Sequence, residues 1–215
     1  MEIKNKSTIK NILEWILCIL IALLLALTFR YYIGTPTQVR KTSMFPTLKE
    51  NDRLILSRVS RITHKLPKYG DIITFEAPSK LILNESEINQ SNPIAIYDNN
   101  HKNIFSKFVH NVLEIGKDSF IKRVIALPGD SVKIENGKVF VNNIELEESY
   151  LKPTVNTYIK NGFDNFTVPD NYIFAMGDNR EHSTDCRNFG CIPLEKIEGT
   201  AILRFWPLDK IQKLY

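Results

Sequence analysis

From Ile12 to Ile33 the chain is apolar on every side, with Glu14 and Arg30 the only charges and both near the ends. Trp15 to Phe29 carries no charge at all. A surface helix of a globular domain shows an apolar stripe rather than an apolar circumference. Twenty-two residues at 1.5 Å each span about 33 Å, close to the hydrocarbon thickness of a bilayer. Trp15, Tyr31 and Tyr32 fall near the two ends, where amphipathic rings settle. Lys4, Lys6 and Lys10 precede the run, which places the N-terminus in the cytoplasm and the remainder outside. A cleavable signal sequence shares the basic start and apolar centre. It also needs a small-x-small cleavage site, and the run ends instead in Phe29-Arg30-Tyr31-Tyr32-Ile33. The pattern therefore predicts a cytoplasmic segment at 1–11, a transmembrane anchor at 12–33 and an exported domain at 34–215.

Beyond the anchor the pattern changes to short strands punctuated by turns. Gly70-Asp71 leads into the apolar run Ile72 to Phe75. Val132 to Ile134 and Val139 to Val141 flank Asn136-Gly137, a strong hairpin signal. Tyr172 to Met176 ends in the turn residues Gly177-Asp178-Asn179, and Ala201 to Trp206 reads as a closing strand before Pro207. These elements predict a mainly antiparallel β domain behind a single membrane helix. Between about 76 and 118 polar residues dominate, so the segment reads as a polar insertion. Only Ile104 to Ile115 shows order there, with Phe105, Phe108, Val109, Val112 and Leu113 at helical spacing. That predicts a helix packed on the sheet, with an interfacial membrane helix as the alternative.

Composition changes little in this picture. The 215 residues, 43% hydrophobic, suit one domain with a sizeable core. The net charge of +4 is spread along the chain without a dense basic block, so nothing points to nucleic acid, while a mildly basic surface suits anionic lipid. Cys18, Cys186 and Cys191 do not form a metal-ligand pattern, and no metal or cofactor is expected.

The candidate chemistry rests on Ser43 and Lys122. Strand alternation puts Lys122 on one face with Phe120, Val124 and Ala126, a poor place for an ammonium. Desolvation lowers the pKa of such a lysine and makes a neutral amine available near neutral pH. A neutral lysine can take the proton of a serine hydroxyl. The rival is a Ser-His-Asp site. His64, His101, His110 and His182 all lack a nucleophile-elbow or other triad context.

Four separated blocks carry a family resemblance: Ser43-Met44-Phe45-Pro46-Thr47-Leu48, Gly70 to Phe75, Phe120 to Asp130, and Gly177-Asp178-Asn179-Arg180-Glu181-His182-Ser183-Thr184-Asp185-Cys186-Arg187. In this order behind an N-terminal anchor, they resemble the bacterial type I signal peptidases, membrane-anchored Ser-Lys proteases. The resemblance implies that Ser43 is the nucleophile and Lys122 its general base, with Ser183 orienting that lysine. Asp178, Arg180, Asp185 and Arg187 would form the charged framework. It further implies antiparallel sheets around a shallow apolar groove and cleavage after small residues at the first and third positions before the cut. The implied partners are the signal peptides of secreted preproteins, the lipid of the cytoplasmic membrane and the protein-export machinery, with the catalytic domain on the outer face.

Three features depart from the family pattern. Lys41 stands two residues before Ser43, where many members carry a serine or a glycine, the serine donating to the oxyanion. Cys186 replaces the usual serine in the fourth block, and the insertion at 76–118 is longer than usual. The first two keep open a non-catalytic homologue that binds signal peptides or scaffolds the export machinery. Cys186 and Cys191, five apart in an oxidising compartment, either close a small disulfide loop or stay as two thiols. A self-cleaving Ser-Lys repressor would carry a DNA-binding domain where this chain has its anchor.

Overall fold

In a computed structural model, which describes residues 2–98, 103 and 116–214, helix α1 runs from Glu2 to Tyr32. Its stretch Ile9–Tyr32 has a mean hydropathy of 2.7 and none of it is buried against the domain, so it is long and apolar enough to cross a membrane. The chain then follows, in order, β1 (Gly34–Gln38), β2 (Arg53–Ser57), the short α2 (Ser60–Thr63), β3 (Ile72–Glu76) and β4 (Ser119–Ala126). Next come β5 (Ser131–Glu135), β6 (Lys138–Val141), β7 (Ile144–Glu145), β8 (Asn165–Thr167) and β9 (Tyr172–Met176). The one-turn helix α3 (Cys186–Phe189), β10 (Ile192–Pro193), β11 (Ile197–Trp206) and β12 (Gln212–Lys213) complete it. The domain is mainly β, as the sequence predicts. The helix predicted over Ile104 to Ile115 lies outside the described residues, as do His101 and His110.

Two antiparallel sheets form. The larger has the order β1-β2-β11-β3-β4-β9-β10 with β12 added to β11, and the smaller has the order β7-β6-β5-β8. The hairpin predicted at Asn136-Gly137 joins β5 to β6, with φ of 51° and 79°, as a twist-matched two-residue turn requires. Beyond the predicted closing strand, β11 begins four residues before Ala201, and β12 pairs back onto it.

Packing divides into two cores. The larger joins the sheets: Val132, Ile134, Val139 and Phe166 meet Ile73, Phe75, Val124, Phe174 and Ile192, with the Phe166 and Phe174 rings 5.0 Å apart. The smaller holds Val39, Met44, Leu48, Leu54, Leu56, Ile72 and Ala201. It lies beneath the loop from 39 to 52, so the residue directly after Ser43 is a buried plug.

The polar insertion is better ordered near its start than its composition suggests. Leu83 and Ala95 are buried in the larger core. Ile94 forms a parallel bridge to Cys191: the Cys191 N–H donates to Pro93 O at 2.6 Å and the Ala95 N–H to Cys191 O at 2.9 Å. Apolar residues spaced too far apart for a strand or helix pattern thus become a strap across the loop after α3. The stem of the insertion is closed by charge. Lys117 pairs with Glu76 at 3.5 Å and Glu198 at 3.0 Å, and Lys196 with Glu76 at 3.1 Å, all with small side-chain exposure.

The strap requires a glycine at 190. Gly190 has φ 90° and ψ −173°, a region that residues with a Cβ avoid, and an added Cβ would lie 2.9 Å from Pro93 O and Ile94 C. Gly190→Ala should therefore cost at least about 2 kcal/mol of stability. A denaturant midpoint unchanged from that of the parent would show that the strap does not press on this turn.

Candidate active site

The loop between β1 and β2 presents Ser43, and its shape is dictated from below. Met44 and Leu48 are fully buried, and the Leu48 N–H donates to Met44 O at 2.9 Å. At the far end Asp52 accepts from the Lys49 N–H at 2.9 Å and from Arg204 Nη1 at 3.1 Å, while the same Nη1 donates to Thr47 O at 3.0 Å. Ser43 is 8% exposed. Its N–H donates to no acceptor among the described residues, which leaves it free to face a developing oxyanion.

Lys122 comes from β4, a central strand with β3 on one side and β9 on the other, opposite Ile73. The predicted one-face grouping holds for Lys122 and Phe120, whose ring centre lies 5.2 Å from the lysine Nζ, but the strand is buried on both faces. All residues from Lys122 to Ala126 are buried, and the pairing with β9 slips between Val124 and Ala126. The outcome for the lysine is the expected one: it is 3% exposed, and its Nζ donates to Ser43 Oγ at 2.8 Å and to Ile121 O at 3.0 Å. Burial lowers its pKa from 10.5 to about 8. Asp185 and Cys186 draw it back up, while Lys41 and Arg187 push it down. Cys186 is itself a neutral thiol at such pH, because burial raises its pKa, so its pull is slight.

The fourth block builds the wall behind this pair. The Asn179 N–H donates to Ser43 O at 2.9 Å and its Nδ2 to Thr42 O at 3.2 Å, which latches the serine loop to the turn after β9. Asp178, 2% exposed, takes a bidentate pair from Arg123 (Nε to Oδ1 2.9 Å, Nη2 to Oδ2 2.6 Å) and the Thr47 hydroxyl at 2.5 Å. Asp185 caps α3 and accepts from Arg187 Nε at 2.8 Å, Arg187 Nη2 at 2.7 Å and the Gly177 N–H at 3.0 Å. Burial works against the Asp185 charge, but Arg187 and the Gly177 N–H hold its carboxyl below the usual range. Arg180 is paired with Glu148 and Thr157, and its carbonyl accepts from Arg187 Nη2 at 2.8 Å. All four expected framework residues are thus buried; Arg180, Asp185 and Arg187 are linked to one another, while Asp178 is tied to Arg123 and Thr47.

Ser183 departs from expectation. It is 1% exposed, yet its hydroxyl makes no hydrogen bond to Lys122 or to any other described group, although it lies near enough to Asp185 to favour that residue's charge. Its carbonyl accepts from Lys160 Nζ at 2.6 Å. Gly177 stands between it and the nucleophile loop: an added Cβ would meet Ser183 Oγ at 2.2 Å and Ser43 O at 2.5 Å. No side chain fits there.

Cys186 and Cys191 are free, buried thiols, which answers the pairing question in favour of packing. Cys186 Sγ accepts from the Ala175 N–H at 3.2 Å, while Cys191 is committed to the strap. At the mouth, the Lys41 Nζ lies 5.0 Å and the Lys122 Nζ 5.2 Å from the centre of the Phe120 ring. A cavity of about 1250 Å³ lined by Thr63, Leu66, Asn171, Pro193 and Lys196 includes neither Ser43 nor Lys122. No group of three or more potential metal ligands occurs among the described residues.

Arg123, Thr47, Glu148, Lys160 and the Asp52–Arg204 pair were not singled out from sequence. Arg123 had a signal, as a second cation directly after Lys122 in an apolar strand. Glu148 had none, being a single acidic residue in a polar stretch 32 positions from Arg180.

The profile of the family described as "Signal peptidase, peptidase S26" matches residues 12–206. The chain is 30% identical over 221 residues to signal peptidase I S of Bacillus subtilis, covering 99% of each chain. It is 34% identical over 194 residues to probable signal peptidase I-1 of Synechocystis sp., covering 89% of this chain and 81% of that one. It is 33% identical over 190 residues to thylakoidal processing peptidase 1 of Arabidopsis thaliana, where it covers 88% of itself but spans only 47% of the plant protein. The chain belongs to the signal peptidase I family of serine endopeptidases.

The buried lysine also makes a stability prediction. Because its pKa is lower in the folded state, the folded protein binds fewer protons than the unfolded chain between about pH 8 and 10.5, and stability rises with pH across that window. Below it, the full penalty of the buried charge is present. Lys122→Met should therefore raise stability at pH 7 by about 1 to 3 kcal/mol, after loss of its two hydrogen bonds. The gain should shrink towards pH 10.5 in melting curves taken across this range. A variant that melts lower at pH 7 would contradict a charge held at a cost.

Proposed function

We propose that the chain is a membrane-anchored signal peptidase that removes signal peptides from exported preproteins, with Ser43 as nucleophile and Lys122 as general base. The observation that carries this reading is the 2.8 Å contact from Lys122 Nζ to Ser43 Oγ at a lysine 3% exposed. In its neutral form the Nζ takes the Ser43 proton as Oγ bonds to the scissile carbonyl carbon. The Ser43 N–H faces the oxygen that becomes negative. The lysine then returns its proton to the departing amine as the C–N bond breaks, leaving an ester on Oγ. A water molecule, deprotonated by the same Nζ, hydrolyses the ester and frees the serine.

The charged framework contributes position. Asp178 and Asn179 hold the serine loop, and Asp185 with Arg187 holds the turn that carries Ser183. Small residues at the first and third positions before the cut are the specificity we infer from the family. A non-catalytic signal-peptide binder is the weaker reading: it would gain nothing from a lysine whose pKa burial lowers to about 8 beside a serine. With Lys41 replacing a hydroxyl donor, catalysis here relies on the Ser43 N–H and the local positive field.

The test is cleavage of a preprotein by the full chain in detergent. Ser43→Ala should abolish it, and Lys122→Arg should do nearly the same, because a guanidinium stays protonated. In the parent, kcat/KM should rise about tenfold per pH unit below about pH 8 and level off above it, as Lys122 deprotonates. Near-normal cleavage by Lys122→Arg would falsify the assignment.

We further propose that α1 stays in the cytoplasmic membrane with the N-terminus inside, so that 34–215 works on the outer face. Only nine residues separate Ile33 from Ser43, so the serine lies within about 35 Å of the end of the apolar run. A substrate held in the same bilayer would present its cleavage site at that level. Protease added to membrane vesicles of known orientation should digest the domain only from the outer face. Digestion from the cytoplasmic face, or a mature form starting after Ile33, would reverse or remove the anchor.

A further inference from the structure

Lys41 is exposed and has no hydrogen bond or ion pair among the described residues, yet it is directed at the catalytic pair rather than away from it. Its Nζ shares the Phe120 ring with Lys122, at 5.0 and 5.2 Å from the ring centre, so the two nitrogens are no more than about 10 Å apart. An aromatic face attracts a cation, and one ring here holds two of them beside a single nucleophile. We propose that Lys41 is an electrostatic positioning residue for the proposed Ser43–Lys122 dyad: its positive charge, held by Phe120, disfavours protonation of Lys122 and keeps the base ready.

The charges facing Lys122 make this residue a decisive one. From the segment after β9 come Asp185, which favours the ammonium, and Arg187, which opposes it; these two are locked to each other at 2.7 Å. Cys186, from the same segment, is a neutral thiol. From β3 the strand partner is Ile73, which is uncharged. From the nucleophile loop comes Lys41, whose positive charge is not cancelled by a local partner. Lys41 also occupies the place of a hydroxyl donor, so the chain exchanges one hydrogen bond to the oxyanion for a charge that acts on the base.

Because Lys41 is exposed, its influence passes partly through solvent. At a separation of up to about 10 Å, with an effective dielectric between water and a protein surface, one charge shifts a neighbour by roughly 0.3 to 1 pH unit. It must also fade with salt, since the screening length falls from about 30 Å at 0.01 M to about 3 Å at 1 M. A contact with substrate or a packing role would produce no such pairing of pH and salt effects.

The inference rests on the dyad reading, and the experiment separates the two. The full chain in neutral detergent is assayed with one preprotein substrate from about pH 6 to 10 at roughly 0.01 M and 0.5 M salt. The set comprises the parent, Lys41→Met, Lys41→Arg and Lys122→Met. In Lys41→Met the midpoint of the kcat/KM rise should move up by roughly 0.3 to 1 unit at low salt, with two- to tenfold lower activity at pH 7 and recovery above pH 9. Most of the shift should vanish at high salt, and Lys41→Arg should keep the parental midpoint. A Lys41→Met profile that coincides with the parent at low salt overturns the inference. So does a uniform loss at every pH, or a rise in KM alone, which would make Lys41 a substrate contact. If Lys122→Met still cleaves with a rising pH profile, the dyad reading itself fails, whatever Lys41 does.

Discussion

Everything in this domain turns on keeping one amine out of water. An ammonium buried as Lys122 is costs several kcal/mol unless it is paired with an opposite charge. Among the described residues this one has no carboxylate in contact, only Ser43 Oγ and Ile121 O. The carboxylate that acts on it, Asp185, is committed to Arg187, and in the wall behind it Asp178 is committed to Arg123 and Glu148 to Arg180. Each of those pairs is buried or nearly so and internally satisfied. The lysine therefore meets, in Asp185 and Arg187, charge that is already neutralised. Leaving Asp185 unpaired beside it would stabilise the ammonium and defeat the base.

A hierarchy follows from this. The Arg123–Asp178 and Arg187–Asp185 pairs stiffen the turn after β9, and that turn in turn grips the serine loop through the Asn179 N–H. Beneath the loop, Met44 and Leu48 tie it to the smaller core. The nucleophile is positioned by hydrophobic burial from one side and by backbone hydrogen bonds from the other. The base is positioned by a central strand that cannot move without disturbing both of its neighbours.

Much of this was legible in sequence because the relevant signals were local. The anchor shows as length and apolarity, the hairpin at Asn136-Gly137 as backbone conformation, and the oddity of Lys122 as a charge in an apolar strand. Two kinds of feature were hidden. Partners distant in sequence, such as Glu148 for Arg180 and Asp52 for Arg204, carry no spacing rule that would find them. The strap at Pro93 to Ala95 was missed because its buried residues are scattered among asparagines and serines, so no period marks them. Burial on both faces of β4 was hidden too, because Arg123 reads as a solvent-facing charge, although the face that Lys122 shares with Phe120 was foreseen.

The pairing of β4 with β3 sets Ile73 against Lys122 and Ile72 against Arg123. Base and clamp are consecutive residues, so they leave the strand on opposite sides: one towards the serine, the other towards Asp178. A slip of one position would exchange them. The guanidinium would then stand beside Ser43, where it cannot give up its proton, and the flexible amine would face a carboxylate it cannot grip at two points. Correct alignment of two neighbouring strands is thus a chemical requirement as well as a mechanical one. A misaligned chain could retain both sheets and still be inert; the β3–β4 pairing that sets this alignment runs without a shift from Ile72 to Glu76, and the slip between Val124 and Ala126 falls on the other side, against β9.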